Sequence, residues 1–185
     1  MSKIFYSKNE KYLKNAIGEK LSKALRGIVP IIVCVGTDAV IGDSFAPIVG
    51  TILKQKRPDL FVYGSLDKTI TAKDVKAVCS FLSGVHKADK ILVIDAAVGE
   101  KDDVGKIKIE SGAIRPGLGA NKSLPALGDV SLIYVIGERS DKRLFAERSV
   151  VRLSDIYDAA KAVAESVISY VDSISKKTAG LSVSL

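Results

Sequence analysis

The sequence predicts an α/β protein, a parallel sheet with helices on both faces, and three observations lead there. Ile31 to Thr51 (IIVCVGTDAVIGDSFAPIVGT) opens with a continuously apolar, β-branched run that ends at Gly36, as expected of a strand covered on both faces. After a short turn, Phe45, Ile48, Val49, Ile52 and Leu53 recur at helical spacing. Lys90 to Ala97 (KILVIDAA) supplies a second buried-looking strand, ending at Asp95. The order of elements through the first half is α-β-α-β-α-β, the pattern of parallel strands joined by helical crossovers.

Each element has its own signal. Ser7 and Glu10 form a capping box that opens a helix near Asn9. Leu13, Ile17, Leu21, Ala24 and Leu25 give that helix one apolar face, and Gly27 is placed to end it. Pro30 leads into the first strand. Arg57-Pro58-Asp59 breaks the second helix, and Leu60 to Tyr63 reads as a short strand. Thr71 with Asp74 caps a helix running through Val75, Val78, Phe81, Leu82 and Val85. Lys106 to Glu110 alternates Lys-Ile-Lys-Ile-Glu, the pattern of a half-exposed strand near an edge. Arg115 to Asp129 (RPGLGANKSLPALGD) has no periodicity and reads as a long loop, a length often associated with function. Ser131 to Gly137 is another buried strand, and Ile156, Ala160, Val163, Val167, Val171 and Ile174 mark a last helix capped by Ser154. The expected organisation is one domain over residues 1–185 with a frayed tail from about 178.

Composition narrows the class. The chain is 47% hydrophobic and 26% charged, ordinary for a globular protein. No apolar run approaches the length of a membrane span, and MSKIFYSKNEK carries charge where a signal peptide needs its apolar region, so the expected location is cytoplasmic. Cys34 and Cys79 read as small buried hydrophobes rather than a disulfide framework or a metal site. His86 is the single histidine, which excludes zinc sites built on two or three histidines, and it reads as a surface residue near the end of the third helix.

Two carboxylates carry the candidate chemistry. Functional groups in open α/β sheets collect beyond the carboxyl ends of the strands, and Asp38 and Asp43 fall there. Taken alone, Asp43 reads most simply as a helix N-cap, with its pKa lowered by the helix dipole. If the strands before Gly36 and at Asp95 are parallel neighbours, Asp43 and Asp95 face one crevice. Two carboxylates sharing a crevice repel when both ionise, so one keeps a proton. The ionised member can activate water while the protonated member polarises a carbonyl, the logic of aspartic-type amide hydrolysis. With a third ligand the same pair could instead hold a divalent metal. Gly117, Gly119, Lys122 and Ser123 miss the spacing of a phosphate-binding loop, and Gly36 and Gly42 miss the dinucleotide fingerprint.

VGTDAVIGDSFAP, ILVIDAA and IRPGLGANKSLPALGD together resemble the YyaC-type spore proteins, a family of sporulating bacteria, over roughly residues 30–175. That family is similar to the germination protease, which degrades small acid-soluble spore proteins, and to hydrogenase maturation endopeptidases. The resemblance implies a three-layer α/β/α sandwich around a mostly parallel twisted sheet, of phosphorylase/hydrolase-like type. It implies catalytic roles for Asp43 and Asp95, and a substrate pocket shaped by Asp38, Gly42, Arg115, Gly117 and Lys122. The maturation endopeptidases add a histidine to grip nickel, and the Arg115–Asp129 stretch has none, so no metal and no cofactor are expected. The expected function is a sporulation peptidase in the forespore, acting on a protein substrate such as a small acid-soluble spore protein. The competing class is a non-catalytic sporulation protein that uses the same crevice for binding; self-association is compatible with either.

Net charge is +7, and residues 1–27 account for most of it, with seven basic residues against Glu10 and Glu19. The same segment has a good apolar stripe and no nucleic-acid motif accompanies it, so a solvated helix face is the expected meaning and no membrane or nucleic acid is expected as partner. Binding to duplex DNA should therefore be weak, insensitive to sequence and steeply lost with added salt. A fluorescence titration across salt concentrations checks this, and tight binding at physiological salt contradicts it.

Overall fold

The computed structural model describes residues 2–5, 10–115, 124–139 and 152–182. In chain order the elements are β1 (Ser2–Phe5), α1 (Glu10–Leu25), β2 (Ile31–Cys34), a 3-10 turn (Gly42–Ser44), α2 (Phe45–Lys56), β3 (Val62–Tyr63) and α3 (Val75–Val85). Then follow β4 (Ile91–Gly99), a second 3-10 turn (Lys101–Asp103), β5 (Lys106–Ser111), β6 (Val130–Glu138) and α4 (Leu153–Ser182). The six strands form one sheet in the order β1-β5-β6-β4-β2-β3. β3, β2, β4 and β6 are mutually parallel, while β5 runs antiparallel to β6 and β1 antiparallel to β5.

The apolar pattern explains the layers. On one face Ile32, Cys34, Leu92, Ile94, Leu132, Tyr134 and the two isoleucines of β5 meet Leu13, Ile17, Leu21 and Leu25 of α1. Phe45, Val49 and Leu53 of α2, and Ile156, Val163 and Val167 of α4, complete that core. On the other face Ile31, Val33, Val35 and Val93 pack against Val75 and Leu82 of α3, with Ile70 and Leu127. The result is the expected α/β/α arrangement on a mostly parallel sheet, with three helices on one side and α3 on the other. Burial of these side chains, each contributing about 1.5–3 kcal/mol, is what holds the layers together.

Several expectations change in detail. β1 had no strand signal in the sequence, and its presence places β5 one strand in from the edge. The Ser7 half of the capping box lies outside the described residues. α1 stops at Leu25, two residues before Gly27. Asp95 is not the last residue of its strand, because pairing with β6 carries β4 on to Gly99. α4 is helical to Ser182, beyond the expected start of the tail. Phe81 and Val85, expected on the apolar face of α3, are exposed. α3 turns Val75 and Leu82, with Val78 and Cys79, to the core instead, and Phe81 packs edge-on against Tyr63 of the edge strand β3.

His86 corrects the surface reading most clearly: it is buried. Its Nε2 lies 2.8 Å from the Tyr63 hydroxyl and its Nδ1 2.9 Å from Asp89. The Phe61 ring meets it edge-on at 5.1 Å. Both ring nitrogens thus have partners, which is the condition for burying an imidazole cheaply. The histidine ties the end of α3 to the edge strand, far from the carboxyl ends of β2 and β4. Removing the tyrosine hydroxyl leaves one of these nitrogens unsatisfied.

Candidate active site

β2 and β4 are parallel neighbours in register, Ile31 opposite Ile91 through Cys34 opposite Ile94. The adjacency that a crevice shared by Asp43 and Asp95 requires is therefore met. After Val35 the chain turns at Gly36, whose amide donates to the Ile70 carbonyl at 2.8 Å. The loop then folds back so that Thr37 N–H donates to the Asp43 carbonyl at 3.2 Å. That carbonyl lies where a Cβ on residue 36 would be, so only glycine lets the loop close. At Gly42 a Cβ would overlap the Ile136 side chain of β6. Ile136 is the extra residue of a bulge, since Ala97 pairs with Val135 but Val98 with Gly137. Phe45, at the start of α2, packs on Tyr134 with ring centroids 4.9 Å apart. The turn bearing Asp43 is thus fixed against both β2 and β6.

Asp43 is not the helix cap that its position suggests. The N-cap residue of α2 is Ser44, without a side-chain cap bond; its hydroxyl instead donates to the Ile41 carbonyl at 2.6 Å. Capping would lower the Asp43 pKa, whereas burial raises it. Asp95 is shifted further. Burial pushes its carboxyl up to about 8, the Ala96 N–H donating to Oδ1 at 2.8 Å pulls the other way, and the charge of Asp43 pushes it up again. The two carboxyls therefore interact, and near neutral pH Asp95 holds the proton.

The other sequence-predicted residues are dispersed. Gly42 is buried in the 3-10 turn beneath Asp43, and Asp38 is exposed in the loop between Gly36 and that turn. Arg115 is exposed on the connection leaving β5 at Ser111, whose register partner Val130 opens β6. That is the amino end of the parallel strands, opposite to Asp43, because the antiparallel β5 reverses the chain. Gly117 and Lys122 lie outside the described residues. Sequence reasoning missed Asp103, a buried carboxylate 2.8 Å from Lys108 and 3.8 Å from Lys106. Nothing in its short turn signals burial, which arises from its packing beneath Gly99. Among the described residues no three His, Cys, Asp or Glu side chains are grouped to hold a metal, and no helix is long and apolar enough to cross a membrane.

Two outcomes follow from this geometry. A carboxyl whose folded pKa lies above its unfolded value binds more protons folded than unfolded, so stability falls as pH rises between the two values. For Asp95 that window runs from about 4 to about 8. Asp95→Asn should therefore gain stability relative to wild type across that window, by up to ~1.4 kcal/mol per pH unit. Thermal melts at stepped pH check it, and parallel curves for the two proteins contradict it. Gly36→Ala should cost about 1–3 kcal/mol, as overpacking against backbone does, and by displacing Asp43 should lower the Asp95 pKa slightly while burial still holds it above the ordinary carboxylate range. Carbon-13 carboxyl titration reads the second effect.

Comparison with known proteins places these residues in a family. The chain is 31% identical over 156 residues to "Uncharacterized protein YyaC" of Bacillus subtilis (strain 168), covering 84% of this chain and 75% of that protein. The crystal structure of a [NiFe] hydrogenase maturation protease HycI from Thermococcus kodakarensis KOD1 is 21% identical and covers 80% of this chain and 97% of that one. Its TM-score is 0.46. The model of the family described as "Protein of unknown function (DUF1256)" matches residues 3–166, and the chain belongs to that family.

Proposed function

We propose that the protein is a peptidase of the aspartate-pair kind, acting on a protein substrate in the forespore of a spore-forming bacterium. The observation that carries this reading is the placement of Asp95 beside Asp43 where β2 ends against its parallel neighbour β4, with burial and the Asp43 charge both pushing the Asp95 carboxyl up. An ionised Asp43 serves as base toward a water molecule. Asp95, protonated on the oxygen not engaged by the Ala96 amide, donates to the carbonyl oxygen of the scissile bond. Attack of the water on that carbon gives a tetrahedral intermediate. Asp43, now protonated, passes its proton to the departing amine, and Asp95 recovers its own as the carbonyl re-forms. The substrate class suggested by the family resemblance is the small acid-soluble spore proteins. Asp38 and Gly42 border the crevice in this reading, whereas Arg115, at the opposite end of the strands, takes no part in it.

Each of Asp43→Asn and Asp95→Asn should reduce hydrolysis at least about 100-fold, the usual scale for losing a general acid or base. Both should remain folded, because Asn keeps the shape and removes like-charge repulsion. The rate should fall as pH passes about 8, where Asp95 loses its proton. Incubation of purified protein with small acid-soluble spore proteins, followed by mass spectrometry of the fragments, tests the reading. Full activity in either Asn variant overturns it, and the absence of any cleavage by wild type favours the binding-only alternative.

A further inference from the structure

Strand β4 outruns the neighbour it shares with the crevice. β2 ends at Cys34, opposite Ile94, and Val35 adds one hydrogen bond to the Ile94 carbonyl at 2.9 Å. β4 continues to Gly99. Successive residues of a strand direct their backbone groups to opposite neighbours. Lys90 and Ile94 accept from β2 and its continuation, whereas Ile91 and Gly99 accept from Asp129 and Arg139 on the β6 side. Ala96 and Val98 therefore face the side that β2 has vacated. The Ala96 N–H is taken by Asp95 itself. The Ala96 carbonyl and both backbone groups of Val98 find no partner on that side among the described residues.

We propose that this free edge of β4, Ala96 to Gly99, is the strand on which an extended polypeptide substrate docks, pairing backbone to backbone directly beside Asp43 and Asp95. The occupant follows from the chemistry of the edge. It offers an acceptor, a donor and an acceptor in one line over a strand repeat, and another peptide backbone is the complement that meets all three. Ala96, Ala97 and Val98 are small and half-buried, leaving room for an incoming chain. The edge is also continuous with the β2–β4 ladder, so a docked segment takes the place β2 gives up after Val35. Asp95 immediately precedes the free groups, and its bond to Ala96 fixes its carboxyl at the start of the docked strand. Docking through backbone groups orders the chain without demanding one sequence, and side-chain selection falls to alternate residues. What happens after docking rests on the peptidase reading; the docking does not.

The experiment separates the two. Val98→Pro removes the Val98 N–H, which faces the vacated side, and leaves the ladder to β6 intact, the situation in which proline is tolerated at a sheet edge. Fluorescein-labelled casein serves as an unfolded polypeptide, and its binding is followed by anisotropy to Asp95→Asn with and without Val98→Pro. Asp95→Asn is expected to bind casein, and the added proline to weaken binding at least tenfold. Binding equal within twofold, or no binding to Asp95→Asn, overturns the proposal. Hydrogen exchange gives a reading that does not need the proline variant to fold. The Val98 amide of Asp95→Asn should exchange at least tenfold more slowly with casein present, and an unchanged rate overturns the proposal. Casein hydrolysis by wild type is scored separately. Docking with no hydrolysis of casein or of small acid-soluble spore proteins sinks the peptidase reading alone, and hydrolysis without slowed exchange sinks the docking alone.

Discussion

The candidate site depends on a mismatch in length between two parallel strands. β2 stops at Cys34 while β4 runs five residues beyond the register partner of Cys34. Had the two ended together, Asp95 would lie beyond the sheet in a loop open to water, and its carboxyl would ionise like any surface acid. Because β4 continues, Asp95 is held inside a strand that stays paired with β6 as far as Gly99. The same mismatch leaves the Ala96 amide without a β2 carbonyl, and the Asp95 carboxylate fills that gap at 2.8 Å. Burial outweighs this one favourable bond, which is why the proton stays on.

Holding the pair together takes more than the two acids. Asp43 is carried on a turn whose path is permitted by Gly36 below it and by Gly42 beside Ile136. Phe45 against Tyr134 anchors the helix that follows. These contacts come from β2, β6 and α2, so the sheet holds the turn in addition to the turn's own hydrogen bonds. A turn set in this way presents its carboxyl without using it as a cap, and the energy of that arrangement comes from the apolar packing around it.

Much of this was legible in the sequence. Buried parallel strands read as unbroken apolar runs, which located β2, β4 and β6, and the adjacency of β2 and β4 was expected because a crevice shared by Asp43 and Asp95 requires it. Asp43 and Asp95 stood out because each follows such a run. What could not be read depends on neighbours remote in sequence. β1 is four residues of ordinary polarity that become a strand only because β5 offers an edge. The extension of β4 past Asp95 is set by β6, and the bulge at Ile136 by its contact with Gly42. His86 looked exposed because its partners, Tyr63 and Asp89, give no pattern that points to it. The seven-residue spacing from Gly36 to Asp43 was visible, but capping and clustering are equally consistent with it, and only the packing chooses between them.

The placement of β1 also bears on how the chain assembles. Among the described residues its one strand partner is β5, whose residues lie about a hundred positions further along, with Ser2 opposite Ile109 and Phe5 opposite Lys106. During synthesis at about 5–20 residues per second, several seconds pass between the emergence of β1 and that of its partner. Throughout that interval Ile4 and Phe5 have no strand to join, while β2, β3 and α2 can already meet one another. The outer antiparallel pair is therefore a late addition to a parallel nucleus, and the half of the sheet that carries Asp43 is the half that can form first.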